Sequence, residues 1–225
     1  MRTTRQPGRS GRPRRSPTAG RGRPRGFDRT AALVAALELF WERGYEGTSL
    51  NDLTTAMGVS ATSLYAAFGS KEALFREAVG YYNDPQRSPT TRALHDQPTA
   101  RAAVEAMLRD NARLYTDPTT PRGCMIVLAA TSYTPTSAPL RDLLADLREC
   151  DRHDLRRRLD RGIVDDELPP HTDTAALATF AVTLLHGLSV QARDGASADG
   201  LNTVVDNAMR CWDHLVSTTP SEPGP

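Results

Sequence analysis

Lysine is nearly missing from this sequence: Lys71 is the only one among 28 basic side chains, so the positive charge is almost all guanidinium. Acidic residues are missing from residues 1–25, which hold nine arginines. Cysteine is scarce, and Cys124, Cys150 and Cys211 are too widely spaced for a disulfide framework or a zinc pattern. The five histidines, His95, His153, His171, His186 and His214, show no metal-ligand spacing, so neither a metal nor a cofactor is implied. No apolar run opens the chain. Its first 26 residues hold only Met1 and Ala19 as apolar side chains, whereas a secretory signal needs roughly 7–15 together. The longest uncharged stretch without proline, Thr174–Ala192, includes Thr179, Thr183, His186, Ser189 and Gln191, which is too polar for a comfortable membrane span. The expectation is a soluble cytoplasmic protein with no membrane partner. No run of alternating β-branched residues competes as a strand, so the fold class is all-α.

What is there is a chain of 225 residues with an uneven charge. The arginines at the start give +9, residues 27–82 hold four basic and seven acidic side chains, and residues 83–225 hold 15 and 20, which together return the overall +1. A basic arm on a mildly acidic body points to a polyanion for the arm alone. Residues 1–26, with four prolines and five glycines, cannot bury apolar surface and are expected to be disordered, as is the polar tail 218–225.

The body reads as about nine helices. The first runs from a cap at Asp28 to Arg43, with Leu33, Leu37 and Phe40 on one face and Gly44 as its stop. A short second helix is capped by Thr48 or Ser49, with Asp52 as a capping-box partner of Ser49, and ends at Gly58. Ser60 caps a third over Ala61–Phe68, and Ser70 caps a fourth from Lys71 to Tyr82. Pro85 and Pro89 mark a loop. Further helices are expected over Thr99–Tyr115, Cys124–Ser132, Leu140–Ile163, Thr174–Arg193 and Ala198–Val216.

Residues 49–68, SLNDLTTAMGVSATSLYAAF, describe two short helices joined by Gly58-Val59-Ser60. Leu50, Leu53, Ala56, Val59, Leu64 and Phe68 are expected to share one small core, with the small Ala56 admitting close helix approach. The residues alone fit both a helix-turn-helix, whose second helix enters a DNA major groove, and an ordinary αα-corner.

From Phe27 to Ala78 the chain resembles the DNA-binding domain of the TetR family of bacterial transcriptional repressors. The resemblance rests on Ala35-Ala36, Phe40, Gly44-Tyr45, Thr48-Ser49-Leu50, Ala56-Met57-Gly58-Val59-Ser60, Leu64-Tyr65, Phe68 and Ser70-Lys71-Glu72-Ala73-Leu74-Phe75. Residues 187–196, GLSVQARDGA, resemble a segment of one branch of that family. The resemblance implies residues 27–72 as the helix-turn-helix domain and 73–217 as a ligand-binding and dimerisation domain. It implies a homodimer on a palindromic double-stranded DNA operator, released by a small-molecule effector, and no enzyme activity. Phosphate contacts are implied for Thr48, Tyr65 and Lys71, with Ser60, Ala61, Thr62 and Ser63 opening the recognition helix. The sequence departs from the family there. Ala61, Ala66 and Ala67 stand where many members carry Lys or Arg and Tyr-His, leaving Thr62 and Ser63 as the hydrogen-bonding base readers.

The acidic charge of residues 27–82 leaves phosphate attraction to the arm. Gly20-Arg21-Gly22-Arg23-Pro24 resembles the AT-hook core, which makes Arg21, Arg23 and Arg25 candidate DNA contacts, by minor-groove insertion or by nonspecific phosphate pairing. Candidate effector-lining residues are Tyr81, Met107, Asn111, Tyr115, Met125, Leu128, Leu147 and His186. The 174–193 helix, apolar nearly all round, and the stripe on 198–216 are expected to form a four-helix dimer seam through Leu184, Leu188, Val204, Ala208 and Trp212. Asp165-Asp166-Glu167 and Arg156-Arg157-Arg158 read as solvated surface, and Cys124 as a structural cysteine. The alternative function is an architectural or constitutive DNA-binding protein that uses the arm and ignores small molecules.

Overall fold

The computed structural model of the chain describes Met1, residues 28–129 and residues 133–217. The arm contacts Arg21, Arg23 and Arg25, most of the expected disordered segments, and the end of the 124–132 helix therefore lie outside the described residues. Among those described, every regular element is helical: α1 Arg29–Arg43, α2 Leu50–Met57, α3 Ala61–Phe68, α4 Lys71–Tyr82, α5 Pro89–Asp96, α6 Ala100–Tyr115, α7 Met125–Leu128, a 3-10 turn at Pro135–Ser137, α8 Ala138–Val164, α9 Thr174–Arg193, α10 Ala198–Arg210 and α11 Trp212–Ser217.

Three elements differ from the reading of the sequence, the first being α7, which ends at Leu128 with Ala129 as its C-cap, short of the expected Ser132. Pro89 does not sit in a loop. It opens α5, with Ser88 accepting the Thr91 N–H, because the missing N–H of proline and its fixed φ suit the first helical turn. The final helix is broken at Cys211, so α10 and α11 are separate.

Local chemistry sets the remaining boundaries. Asp28 Oδ1 accepts the N–H groups of Thr30 and Ala31 and starts α1. Ser49 and Asp52 form a reciprocal capping box at α2. Gly58 ends α2 at φ 65, a left-handed backbone that only glycine adopts cheaply, and turns the chain into α3.

Two cores result. The first gathers Leu33, Ala36, Leu37, Phe40 and Trp41 of α1 with Leu53, Met57, Leu64, Phe68, Leu74, Phe75 and Ala78. It also takes in Met125 and Ile126 of α7 and Leu140 and Leu144 from the start of α8. Ala56 does not belong to it: it is exposed, and Met57 holds the inward position. The second core joins α5, α6, α9, α10 and α11 around Leu155 and Leu159 in the second half of α8. Each fully buried Leu in these cores contributes about 1.5–3 kcal/mol. The long α8 thus ties the helix-turn-helix unit to the body. By length and composition α9 matches a membrane span, but Leu177, Ala178, Ala181, Val182, Leu185 and Leu188 are buried against the other helices.

The acidic cluster before Pro169 is not plain surface. Glu167 pairs with the buried Arg158 at 3.2 Å and also accepts the Ala100 N–H at the start of α6. Arg158 is likewise inside the protein, contrary to the reading of 156–158 as a solvated face.

Candidate DNA interface and effector cavity

The outer side of α3 carries Ala61, Thr62, Ser63, Tyr65 and Ala66, all exposed, while Leu64 and Phe68 anchor its inner side. Tyr65 is 46% exposed and therefore free to meet a phosphate. The Ser60 hydroxyl accepts the Ser63 N–H at 3.1 Å and lies 2.9 Å from the Ser63 hydroxyl. Neither the Thr62 nor the Tyr65 hydroxyl has a hydrogen-bond partner among the described residues, so both are uncommitted donors on this face.

Thr48 does not take the place expected of it. It is fully buried, and its hydroxyl donates to Gly44 O at 2.8 Å, which closes the end of α1. The cap of α2 falls one residue later, and the Asp52 carboxylate already occupies that helix start. Lys71 stands at the start of α4, but its ammonium rests 4.2 Å over the Tyr45 ring, and desolvation there lowers its pKa.

The other cations of this unit are committed too. Arg29 pairs with Glu77 and lies 4.4 Å over the Phe68 ring. Arg43 pairs with Asp52 at 3.5 Å and Arg76 with Glu72 at 3.0 Å. Arg29 went unnoticed in the sequence. Its guanidinium also donates to Ala67 O at 3.3 Å, near the end of α3.

Behind this unit lies a cavity of 330 Å³, at the lower end of the range for small-molecule sites. Its wall draws on seven α-helices and the connecting segments, α5 contributing Pro89 and Thr90. Leu37 and Trp41 come from α1, Tyr81 and Tyr82 from α4, Asn111, Leu114 and Tyr115 from α6, and Ile126 and Val127 from α7. Arg148 and Asp151 come from α8, Leu185 and His186 from α9, and Cys124 and Thr120 from the loop after α6. Four of the residues named from the sequence, Tyr81, Asn111, Tyr115 and His186, meet here.

The other four do not line it. Met107 and Met125 are turned into the two cores with no exposed surface. Leu147 packs against the first core. Leu128 folds over Gly123, whose φ of 80 and closeness to Ser189 O leave no room for a larger residue. The missed wall residues Trp41, Arg148 and Asp151 gave no separate signal, since their spacing along the chain is unrelated to a common site.

Several of the cavity's polar groups are perturbed by burial. Burial raises the Cys124 thiol pKa, which keeps it protonated, and the Tyr82 hydroxyl lies 3.6 Å from its sulfur. Burial, and after it the Arg148 charge, lower the pKa of His186, so the ring is neutral at pH 7. Burial pushes Asp151 up to about 6, with Asp154 adding to the rise. The first core's Trp41 reaches across: its indole donates to Gly123 O at 3.0 Å, its ring meets Tyr82 edge-on at 4.8 Å, and its own carbonyl accepts from Arg193. Among the described residues no group of three or more His, Cys, Asp and Glu side chains is placed to hold a metal.

The seam named from the sequence is partly misplaced. Leu188 and Trp212 are 2% and 4% exposed and belong to the second core, because α9 turns that edge inward onto α6 and α10. Leu184 and Ala208 are half-buried and Val204 is exposed. The outward apolar side chains of α9 are Phe180 and Val190.

Residues 32–78 match the family described as bacterial regulatory proteins, tetR family, and residues 100–216 match the tetracyclin repressor-like C-terminal domain. The HTH-type transcriptional repressor ComR of Escherichia coli (strain K12) is 36% identical over 197 residues, 87% of this chain and 94% of that protein. The HTH-type transcriptional repressor BdcR of the same strain is 32% identical over 182 residues, 80% and 86% of the two chains. Among solved structures, a cysteine mutant of the TetR family transcriptional regulator CifR, complexed with 26-bp double-strand operator DNA, is similar at 47% identity and a TM-score of 0.81. It covers 84% of this chain and 100% of its own.

Proposed function

Because this chain belongs to the TetR family of bacterial regulatory proteins, we propose that it is a dimeric repressor of the cytoplasm that binds a palindromic operator and is released by a small molecule. The observation that carries this reading is a shared wall. Leu37 and Trp41 of α1 and Tyr81 and Tyr82 of α4, both helices of the first core, line the 330 Å³ cavity. A ligand there touches the DNA-binding unit directly, so it can favour one orientation of α3 over another by differential contact.

On the operator, Thr62 and Ser63 read base edges, Ala61 and Ala66 offer methyl contacts, and Tyr65 and Lys71 meet phosphates once Lys71 leaves the Tyr45 ring. With Arg29, Arg43 and Arg76 already paired, the arm supplies the long-range attraction through Arg21, Arg23 and Arg25. Dimerisation uses the outward face of α9 and α10: Phe180, Leu184, Gly187, Val190, Val204 and Ala208. The exposure of Phe180 at 38%, Val190 at 43% and Val204 at 40% favours a partner on this face.

Filling the cavity is the test. Leu114→Trp places an indole in its wall. Operator affinity is expected to change by about tenfold or more while the melting temperature stays within a few degrees. Unchanged affinity in a variant with a normal melt contradicts the effector reading and favours constitutive binding.

A further inference from the structure

Three charged side chains line the cavity: Arg87 is paired with Asp84 at 3.6 Å, but Arg148 and Asp151, of opposite sign, are not completed by the protein. Arg148 and Asp151 stand three residues apart on α8. Arg148 donates from Nη1 to Ile126 O at 2.7 Å, and among the described residues no carboxylate lies within ion-pair distance of it. Asp151 has neither a hydrogen bond nor an ion pair among the described residues. Most other charges of α8 are paired, such as Arg152 with Glu149, Arg157 with Asp154 and Arg158 with Glu167, and the unpaired Asp146 and Arg161 are exposed to water. Charged groups withdrawn from water and left unmatched cost stability, and they concentrate where a ligand completes them.

The surroundings give each charge a different neighbourhood. Neutral His186 faces the cavity near Arg148, close enough to feel its charge. Asp151 lies near Tyr82 and Tyr115, whose own ionisation it opposes. Aromatic walls of this kind tolerate an ammonium. A ligand carrying only a negative group would leave Asp151 unmatched, one carrying only a positive group would leave Arg148 unmatched, and an apolar one would leave both.

We propose that the cavity takes a small zwitterion. Its carboxylate binds Arg148 beside His186, its ammonium binds Asp151 between Tyr82 and Tyr115, and an apolar body lies against Trp41. This assignment rests on the reading of the cavity as the effector site. The free α-amino acids with aromatic or branched aliphatic side chains are the simplest members of the class, at a size suited to 330 Å³.

The experiment is calorimetric titration of the full-length chain with phenylalanine, tyrosine, tryptophan and leucine. Each is compared with its decarboxylated amine, its deaminated acid and the corresponding neutral alcohol. At least one zwitterion is expected to bind about tenfold more tightly than either singly charged counterpart, as charge-assisted hydrogen bonds allow. Asp151→Asn should then cancel its advantage over the acid, and Arg148→Gln its advantage over the amine. A neutral alcohol that binds as tightly as its zwitterion overturns the assignment while leaving the effector site standing. Failure of all four amino acids to bind also overturns it, and the Leu114→Trp variant then judges the effector site separately. A variant with a disturbed melt is replaced by Asp151→Ser or Arg148→Met, for which the same loss of preference is expected.

Discussion

Replacing Asp151 by asparagine is expected to stabilise the protein, and more so as the pH rises. The carboxyl titrates at about 6 in the fold against an ordinary 3.8, because burial and the Asp154 charge disfavour its anion, with Tyr82, Tyr115 and Cys124 as its other titratable neighbours. At 1.36 kcal/mol per tenfold step, that rise corresponds to about 3 kcal/mol of lost stability once the group is ionised. The sign follows from proton binding. Below pH 3.8 both folded and unfolded chains hold the proton and Asp151 costs nothing; the cost grows as the unfolded chain ionises first and is complete above pH 6. Asp151→Asn should therefore gain up to about 3 kcal/mol at pH 7.5 and roughly half of that at pH 5. Urea denaturation of the two proteins at both pH values measures it. An equal difference at the two pH values, or a loss at pH 7.5, refutes the reasoning.

The other predictions concern the seam, the buried pair and the DNA face. Val190→Glu on the outward side of α9 should give folded monomers by sedimentation, whereas Leu188→Arg, aimed into the second core, should fail to fold. Glu167→Gln leaves the Arg158 guanidinium buried without its counter-charge and should cost about 3–5 kcal/mol in urea melts. Thr62→Ala or Ser63→Ala should relax preference at particular operator bases by about 1–3 kcal/mol with an unchanged salt slope. Removing residues 1–25 should instead weaken binding to all DNA and flatten that slope by roughly 0.9 per lost phosphate contact. If Arg21 and Arg23 read a minor groove, that loss should be larger on A·T-rich flanks.

How legible all this was depended on whether the governing signal was local. The all-α class, the start of α1 at Asp28, the Ser49–Asp52 box and the turn at Gly58 are each set within a few residues, and each can be read in sequence order. Pro89 was legible too, but ambiguous: the same fixed φ that breaks a helix interior opens a first turn, and Ser88 was the deciding residue. Thr48 and Ser49 are both good caps by chemistry. Only the end of α1, where Gly44 O needs a donor, decides that Thr48 turns inward.

The cavity and the seam depend on tertiary placement. Leu37, Asn111, Asp151 and His186 meet across about 150 positions of chain, and no periodicity joins them. Met107 and Asn111 sit one turn apart on α6, yet only Asn111 lines the cavity, because a small change of angle around the helix carries Met107 into the core. On α9, an apolar surface nearly all round announces two partners without saying which side meets which. Sequence order leaves Leu188 and Phe180 equivalent, although only Phe180 faces outward. Asp151 and Arg148 are two charges on a heavily charged helix, and only their placement in the cavity wall without an ion-pair partner sets them apart.

Sequencing of duplexes enriched from a random pool by the full-length chain is the decisive measurement, since it reads specificity and two-fold symmetry together. A dimeric repressor enriches a single motif that is an inverted repeat, its two half-sites bound by the α3 helices of the two subunits. Enrichment of A·T content alone with no repeat, or of an unpaired half-site, would contradict the dimeric-repressor reading and leave the arm as the whole of the DNA contact.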